Sequence, residues 1–126
     1  MKKIITTKNA PAPIGPYNQA TLSGSTLYTS GQIAIDPATG ELLKGPIEEE
    51  TKLVMKNLAA VLEAADMTFE NVVKTSIFIS DMENFSKINS VYATYFNDET
   101  APARETVEVA NLPKYVNVEI SAIAIK

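Results

Sequence analysis

Arg104 is the only arginine in the chain. A guanidinium grips a carboxylate through two parallel charge-assisted hydrogen bonds, so any planar recognition of an anion by arginine falls to this residue. It lies in the run Ala101 to Val109, in which apolar and polar residues alternate, and a second alternating run from Val116 to Ser121 carries Glu119. Alternation with period two predicts strands with one buried face each. With Val107 and Val109 on one face, Arg104, Thr106 and Glu108 fall on the other, and Asn117, Glu119 and Ser121 form the polar face of the second run. With Asn111 to Lys114 as the turn, the runs pair as a hairpin. Thr106 then faces Glu119, and Arg104 faces Ser121 one diagonal step from Glu119. A guanidinium and a carboxylate thus converge on one polar sheet face, in a register that a slip of one residue would undo. Such a pair can hold a small carboxylate and move a proton beside it, or it can be a structural ion pair; residue chemistry leaves both readings open.

The missing residue types narrow the chemistry further. The chain contains no His and no Cys, which removes Ser-His and Cys-His nucleophilic catalysis and the usual zinc sites. A general acid or base must then be Asp, Glu, Lys, Tyr or a held water. The 11 basic residues are scattered and the formal net charge is −4, a poor match to a nucleic-acid face built on clustered Lys and Arg. The 126 residues, 45% hydrophobic and 21% charged, suit one folded domain spanning 1–126. No apolar run approaches the roughly 18 residues of a membrane span. Met1-Lys2-Lys3 resembles the start of a signal peptide, but the polar run Thr6 to Asn9 ends it at once, so a cytoplasmic location is expected.

These residues need elements to position them. Lys3 to Thr7 reads as a first strand. Three prolines between Asn9 and Tyr17 impose an extended, rigid loop that either holds Tyr17 in a fixed place or lets it cover core. Ser23-Gly24-Ser25 marks a hairpin between strands Gln19 to Leu22 and Thr26 to Ser30. Gly31 then signals a bulge or a close backbone approach. Leu53, Val54, Leu58, Val61, Leu62 and Ala65 form the stripe of a helix from Ile47 to Ala65, with Glu48, Glu49 and Glu50 as a solvated first turn. A strand follows from Val72 to Ser80, and Asp81 caps a second helix from Met82 to Asn97. The order β-β-β-α-β-α-β-β predicts an α+β fold, a mixed sheet with both helices packed on one face. The uncovered face, apolar and polar together, predicts a homo-oligomer with the polar groups at a seam.

Taken together, the chain resembles the RidA (YjgF-type) family of small reactive-intermediate deaminases. The resemblance rests on Ala12 to Ala20, Tyr28 to Ile33, Thr51 to Leu62, Val72-Val73-Lys74, Val91-Tyr92, Tyr95-Phe96 and Pro102-Ala103-Arg104. It continues through Val107 to Ala110, Leu112-Pro113-Lys114 and Val118-Glu119-Ile120. It implies a chorismate-mutase-like fold and a homotrimer with clefts between subunits. The implied activity is hydrolysis of 2-imino acids, formed from the enamines 2-aminoacrylate and 2-aminocrotonate, to 2-oxo acids and ammonia, with no cofactor and no metal. Carried over by matching position, Arg104 would grip the substrate carboxylate and Glu119 would position the attacking water. Tyr17, Ser30, Gly31, Asn89 and Thr106 would line the cleft. The same arginine would also serve a non-catalytic sensor of 2-oxo acids. The chain departs from the family pattern at Asn111, Tyr115 and Ser121, where arginine, aspartate and a second glutamate are common. It departs again at Glu105, where a small residue is usual and which strand parity puts on the face away from the site.

Overall fold

Alternation and helical periodicity resolve into the expected order of elements in the computed structural model, which describes residues 1–126. The strands are β1 (Lys2–Ile5), β2 (Ala20–Ser23), β3 (Thr26–Thr29), β4 (Val72–Ile79), β5 (Ala103–Glu108) and β6 (Val118–Ile125). The helices are α1 (Ile47–Ala64), between β3 and β4, and α2 (Phe85–Ala93), between β4 and β5. The fold is α+β, with both helices against one face of the sheet. No helix is long and apolar enough to cross a membrane.

The apolar stripe of α1 supplies much of the core. Val54, Met55, Leu58, Val61 and Leu62 are fully buried against Ile77, Ile79, Val118 and Ile120. Each such side chain contributes about 1.5–3 kcal/mol relative to an exposed one. The first turn of α1 departs from expectation at one residue. Glu50 is buried, and its carboxylate accepts hydrogen bonds from the Asn117 backbone N–H and side-chain amide, both at 2.8 Å. It therefore ties the helix start to the chain entering β6. The second helix is shorter than its apolar stripe suggests. A 3-10 turn at Met82–Asn84 precedes it, with the Asp81 carboxylate accepting from Glu83 N–H at 2.9 Å. At its other end the Thr94 hydroxyl donates to Val91 O at 2.7 Å, one of the local bonds that compete with further helix.

The predicted hairpin between the two opening strands does not form. The sheet order is β1-β2-β3-β6-β4-β5, so β4 lies between β5 and β6. β5 pairs parallel to β4, with Arg104 opposite Thr75 and Thr106 opposite Ile77, whereas β6 pairs antiparallel to β4, with Glu119 opposite Phe78 and Ser121 opposite Ser76. Alternation determines which residues share a face but not which strand lies alongside. Here β4, α2 and β5 form a β-α-β crossover, and its helix carries the chain back to a parallel start. Parity within each strand holds, yet the buried side of β5 is the reverse of the one expected. Val107 is 41% exposed, while Arg104 and Thr106 share the helix-covered side with Thr75 and Ile77. Glu105 moves with Val107 to the uncovered face. There it pairs with Lys74 at 2.7 Å and accepts from Ser76, and these two partners hold its carboxyl below the usual range.

Candidate active site in two halves

The cleft around Glu119 is set by a break in pairing. β3 and β6 run in register through Tyr28↔Ile123, and pairing resumes at Gln32↔Ile120 one residue out of step. The two bonds of that bridge are Gln32 N–H to Ile120 O at 2.8 Å and Ile120 N–H to Gln32 O at 3.1 Å. Gly31 sits in the bulge, and both readings of its signal hold. A Cβ at Gly31 would stand 2.7 Å from Glu119 Cδ, so the absent side chain is what admits the carboxylate. Thr29 and Ser30 brace the bulge, through Thr29 Oγ1 accepting from Ala122 N–H at 2.9 Å and Ser30 Oγ donating to Asn18 O at 2.6 Å.

The Pro-rich loop forms the opposite wall. Tyr17 is 47% exposed, so it does not cover core. With Pro11, Ile14, Ile33 and Pro113 it bounds a cleft of about 380 Å³ into which Ser30, Gly31 and Glu119 open. Its anchor is Gln19, a residue that sequence patterns passed over as the start of a strand. Gln19 is buried, and its amide donates to the carbonyls of Thr7, Ala10 and Pro11 while its Oε1 accepts from Thr7 N–H at 2.7 Å. Asn57 does the same for the far wall, donating to Ile33 O at 3.1 Å and Ile35 O at 2.9 Å from inside α1. Neither could be found by periodicity, because a polar residue in an apolar stripe reads as a lapse until its partners are seen. The Glu119 carboxyl makes no hydrogen bond or ion pair in the chain, and partial burial raises its pKa above the usual carboxylate value.

Arg104 belongs to a second cleft, bounded by Asn89, Tyr92, Phe96, Pro102 and Arg104. Its Nη1 donates to Asn89 Oδ1 at 2.7 Å, which gives Asn89 a partner the sequence did not supply. The guanidinium has no carboxylate partner, since the two ion pairs of the chain are Lys52–Glu49 and Lys74–Glu105. On the same strand face, the Thr106 hydroxyl is buried without a hydrogen-bond partner. The expected residues are therefore all placed at clefts or strand faces, but in two groups. Tyr17, Ser30, Gly31 and Glu119 form one, and Asn89 and Arg104, with Thr106 beside them in β5, form the other. The sheet separates them, and one chain does not bring Arg104 and Glu119 together. No cluster of three or more His, Cys, Asp or Glu side chains suited to a metal ion is present.

Comparison with known proteins adds to this geometry. The family model described as endoribonuclease L-PSP matches residues 7–126. The 2-iminobutanoate/2-iminopropanoate deaminase of Mus musculus is 46% identical over 126 residues, which is 100% of this chain and 93% of that one. A solved structure of the Rid protein family member YyfA from Yersinia pestis superposes with a TM-score of 0.96 at 50% identity, covering 100% of both chains. That of E. coli TdcF with bound serine gives 0.92 at 41% identity, over 98% of each.

Proposed function

The chain belongs to the endoribonuclease L-PSP family, the family also called RidA, and on that footing we propose that it is a deaminase hydrolysing 2-imino acids to 2-oxo acids and ammonia. The observation that carries this reading is the unpaired guanidinium of the sole arginine, held by Asn89 at the mouth of a cleft. It is a receptor for one carboxylate with none of its own chain's carboxylates in place. The mouse relative bears the name of this activity, and the E. coli relative was crystallised with serine, a ligand that carries an α-carboxylate. The family description names an endoribonuclease, but a chain of net charge −4 with one arginine is poorly suited to a phosphate backbone.

The chemistry needs little machinery. A protonated imine is electrophilic without a cofactor, so the protein must fix the imine carbon, supply water and manage protons. Arg104 holds the substrate carboxylate through two parallel bonds, which orients the carbon two atoms away. Glu119 accepts the proton of a water as its oxygen bonds to that carbon, giving a tetrahedral carbinolamine. It then returns the proton to nitrogen; as the C–N bond breaks and ammonia leaves, the hydroxyl proton passes back to the Glu119 carboxylate and the C=O bond of the 2-oxo acid forms. The carboxyl is suited to both steps because burial has raised its pKa toward the working range. The Thr106 hydroxyl, two residues from Arg104 on the same strand face, is buried without a partner and lines neither cleft of the single chain.

Since Arg104 and Glu119 occupy separate half-sites, the working cleft is built from the Glu119 half of one copy and the Arg104 half of another. The uncovered sheet face supports such an assembly. It presents the row Ile4, Thr21, Tyr28 and Ile123 and, further along the same face in the row of Phe78 and Glu119, Val107; Ile4, Tyr28 and Val107 are all more than 40% exposed. A homotrimer of chorismate-mutase-like subunits with a cleft at each seam satisfies both features. The test is ammonia release when the protein is added to a serine or threonine dehydratase reaction, with semicarbazide competing for the imine. Faster release that is lost in Arg104→Ala supports the reaction. No acceleration by the native protein sinks it, and binding of 2-oxobutanoate without turnover would leave a 2-oxo acid sensor instead.

A further inference from the structure

Arg104 sits on an aromatic platform. Its guanidinium carbon lies 5.1 Å from the centroid of the Tyr92 ring and 5.7 Å from that of Phe85. Phe85, Asn89 and Tyr92 follow one another at four and three residues along α2, so they share one helix face, and all three meet the same side chain. Asn89 fixes one nitrogen in the guanidinium plane while the rings support the group from their faces. The platform is itself locked. The Tyr92 hydroxyl is 2.7 Å from the Thr75 hydroxyl, both groups are buried, and Thr75 is the β4 residue directly opposite Arg104. A closed circuit thus runs from Arg104 across the strand pair to Thr75, on to Tyr92 and back to Arg104.

We propose that Tyr92 and Phe85 are positioning residues that hold the Arg104 guanidinium ready for the substrate carboxylate, with Thr75 fixing the Tyr92 ring. Arginine carries a large rotamer entropy, and an arginine without a carboxylate partner would otherwise sample it freely before each binding event. Cation–π contact restrains the side chain without occupying the donors that the carboxylate requires, as an acidic partner would. Loss of the platform therefore weakens carboxylate binding in ground state and transition state alike, and KM rises while kcat changes little. The kinetic consequence rests on the deaminase reading above; the placement of the arginine does not.

Because Arg104 is the sole arginine, protein labelled with 15N-arginine shows a single Nε–H resonance, read without substrate. In the native protein it is expected upfield of a solvated arginine through the ring currents of Tyr92 and Phe85, with slowed exchange with water. Tyr92→Leu should return it toward the solvated position and raise KM for 2-iminobutanoate about 3- to 30-fold. Tyr92→Phe, which keeps the ring, should hold KM within about threefold of native. A resonance that is solvated in the native protein, or unmoved in Tyr92→Leu with native KM, overturns the platform. Equal KM values for Tyr92→Leu and Tyr92→Phe, both raised, also overturn it by assigning the effect to the buried hydroxyl. If Tyr92→Leu does not fold, Phe85→Leu, at a half-buried position outside the Thr75 bond, decides: a downfield move with KM raised about 2- to 5-fold supports the platform, and no change refutes it. A native protein with the displaced resonance but no imine hydrolysis refutes the reaction and leaves the platform standing.

Discussion

Arg104 and Glu119 stand on opposite faces of one sheet. Arg104 is aligned with Thr75 on the helix-covered side, Glu119 with Phe78 on the other, and β4 runs between their strands. One chain therefore holds both charges yet cannot bring them to one substrate.

That separation predicts complementation between two dead variants. Arg104→Ala and Glu119→Gln are each expected to be inactive alone. Unfolded together in equal amounts and refolded, they should recover about a quarter of native activity, because half of the Glu119 half-sites are intact and half of those meet an intact Arg104. Mixed oligomers with no recovered activity would return the site to a single chain.

Removing the guanidinium should be costly and not repaired by charge alone. Arg104→Ala is expected to lower kcat/KM at least about 100-fold, from the loss of two hydrogen bonds between charged groups. Arg104→Lys should remain about 10-fold or more below native, since an ammonium cannot match the fork of a carboxylate. Initial rates of semicarbazide-competed imine loss distinguish the three proteins.

The raised proton affinity of Glu119 has two consequences of stated sign. In the proposed mechanism the reacting group is the carboxylate, so kcat should rise with pH along a limb that lies above the ordinary glutamate range. In the folded chain Glu119 keeps a proton that the unfolded chain has released. Stability therefore falls as pH climbs from the ordinary carboxylate value through the raised one, then levels off. Thermal unfolding of Glu119→Gln should lack that fall and give a higher Tm than native at neutral pH. An equal fall in both proteins would assign the effect to another group.

Gly31→Ala tests the close approach. The added Cβ would meet Glu119 Cδ at 2.7 Å and Cγ at 2.8 Å, so the carboxylate must move. Activity should drop about 10- to 100-fold, the effect of misplacing a catalytic group by about 1 Å. The fold should change little, because the clash is with a side chain that can swing. A crystal structure of the variant would show the displaced carboxylate, and native kinetics would refute this role for Gly31.

Gln19 should matter for stability before it matters for chemistry. Gln19→Leu strips the buried carbonyl of Ala10 and the half-buried carbonyl of Pro11 of their donor, at an expected cost of about 1–3 kcal/mol in urea unfolding. The Tyr17 wall should loosen with it, seen as faster amide exchange from residues 10 to 18.

The strands, both helices and the candidate residues were legible in the amino-acid order because each rests on local physics. Alternation sets strand faces, the 3.6-residue stripe sets α1, and one arginine without His or Cys leaves few groups able to do chemistry. The resemblance to a family at matched positions then gave Arg104 and Glu119 different expected roles. Pairing was not legible, since the same alternation suits a hairpin and a β-α-β crossover. What decided between them is the packing of α2 on the sheet, which seats β5 parallel to β4 and turns Arg104 toward Asn89, Tyr92 and Phe85. Burial of Glu50, Gln19 and Asn57 was hidden for a related reason: a polar side chain goes inside only where backbone groups distant in sequence arrive to satisfy it. By itself the chain determines which groups can act; the tertiary structure alone decides which of them face one another, and it sets these two on opposite faces of one sheet.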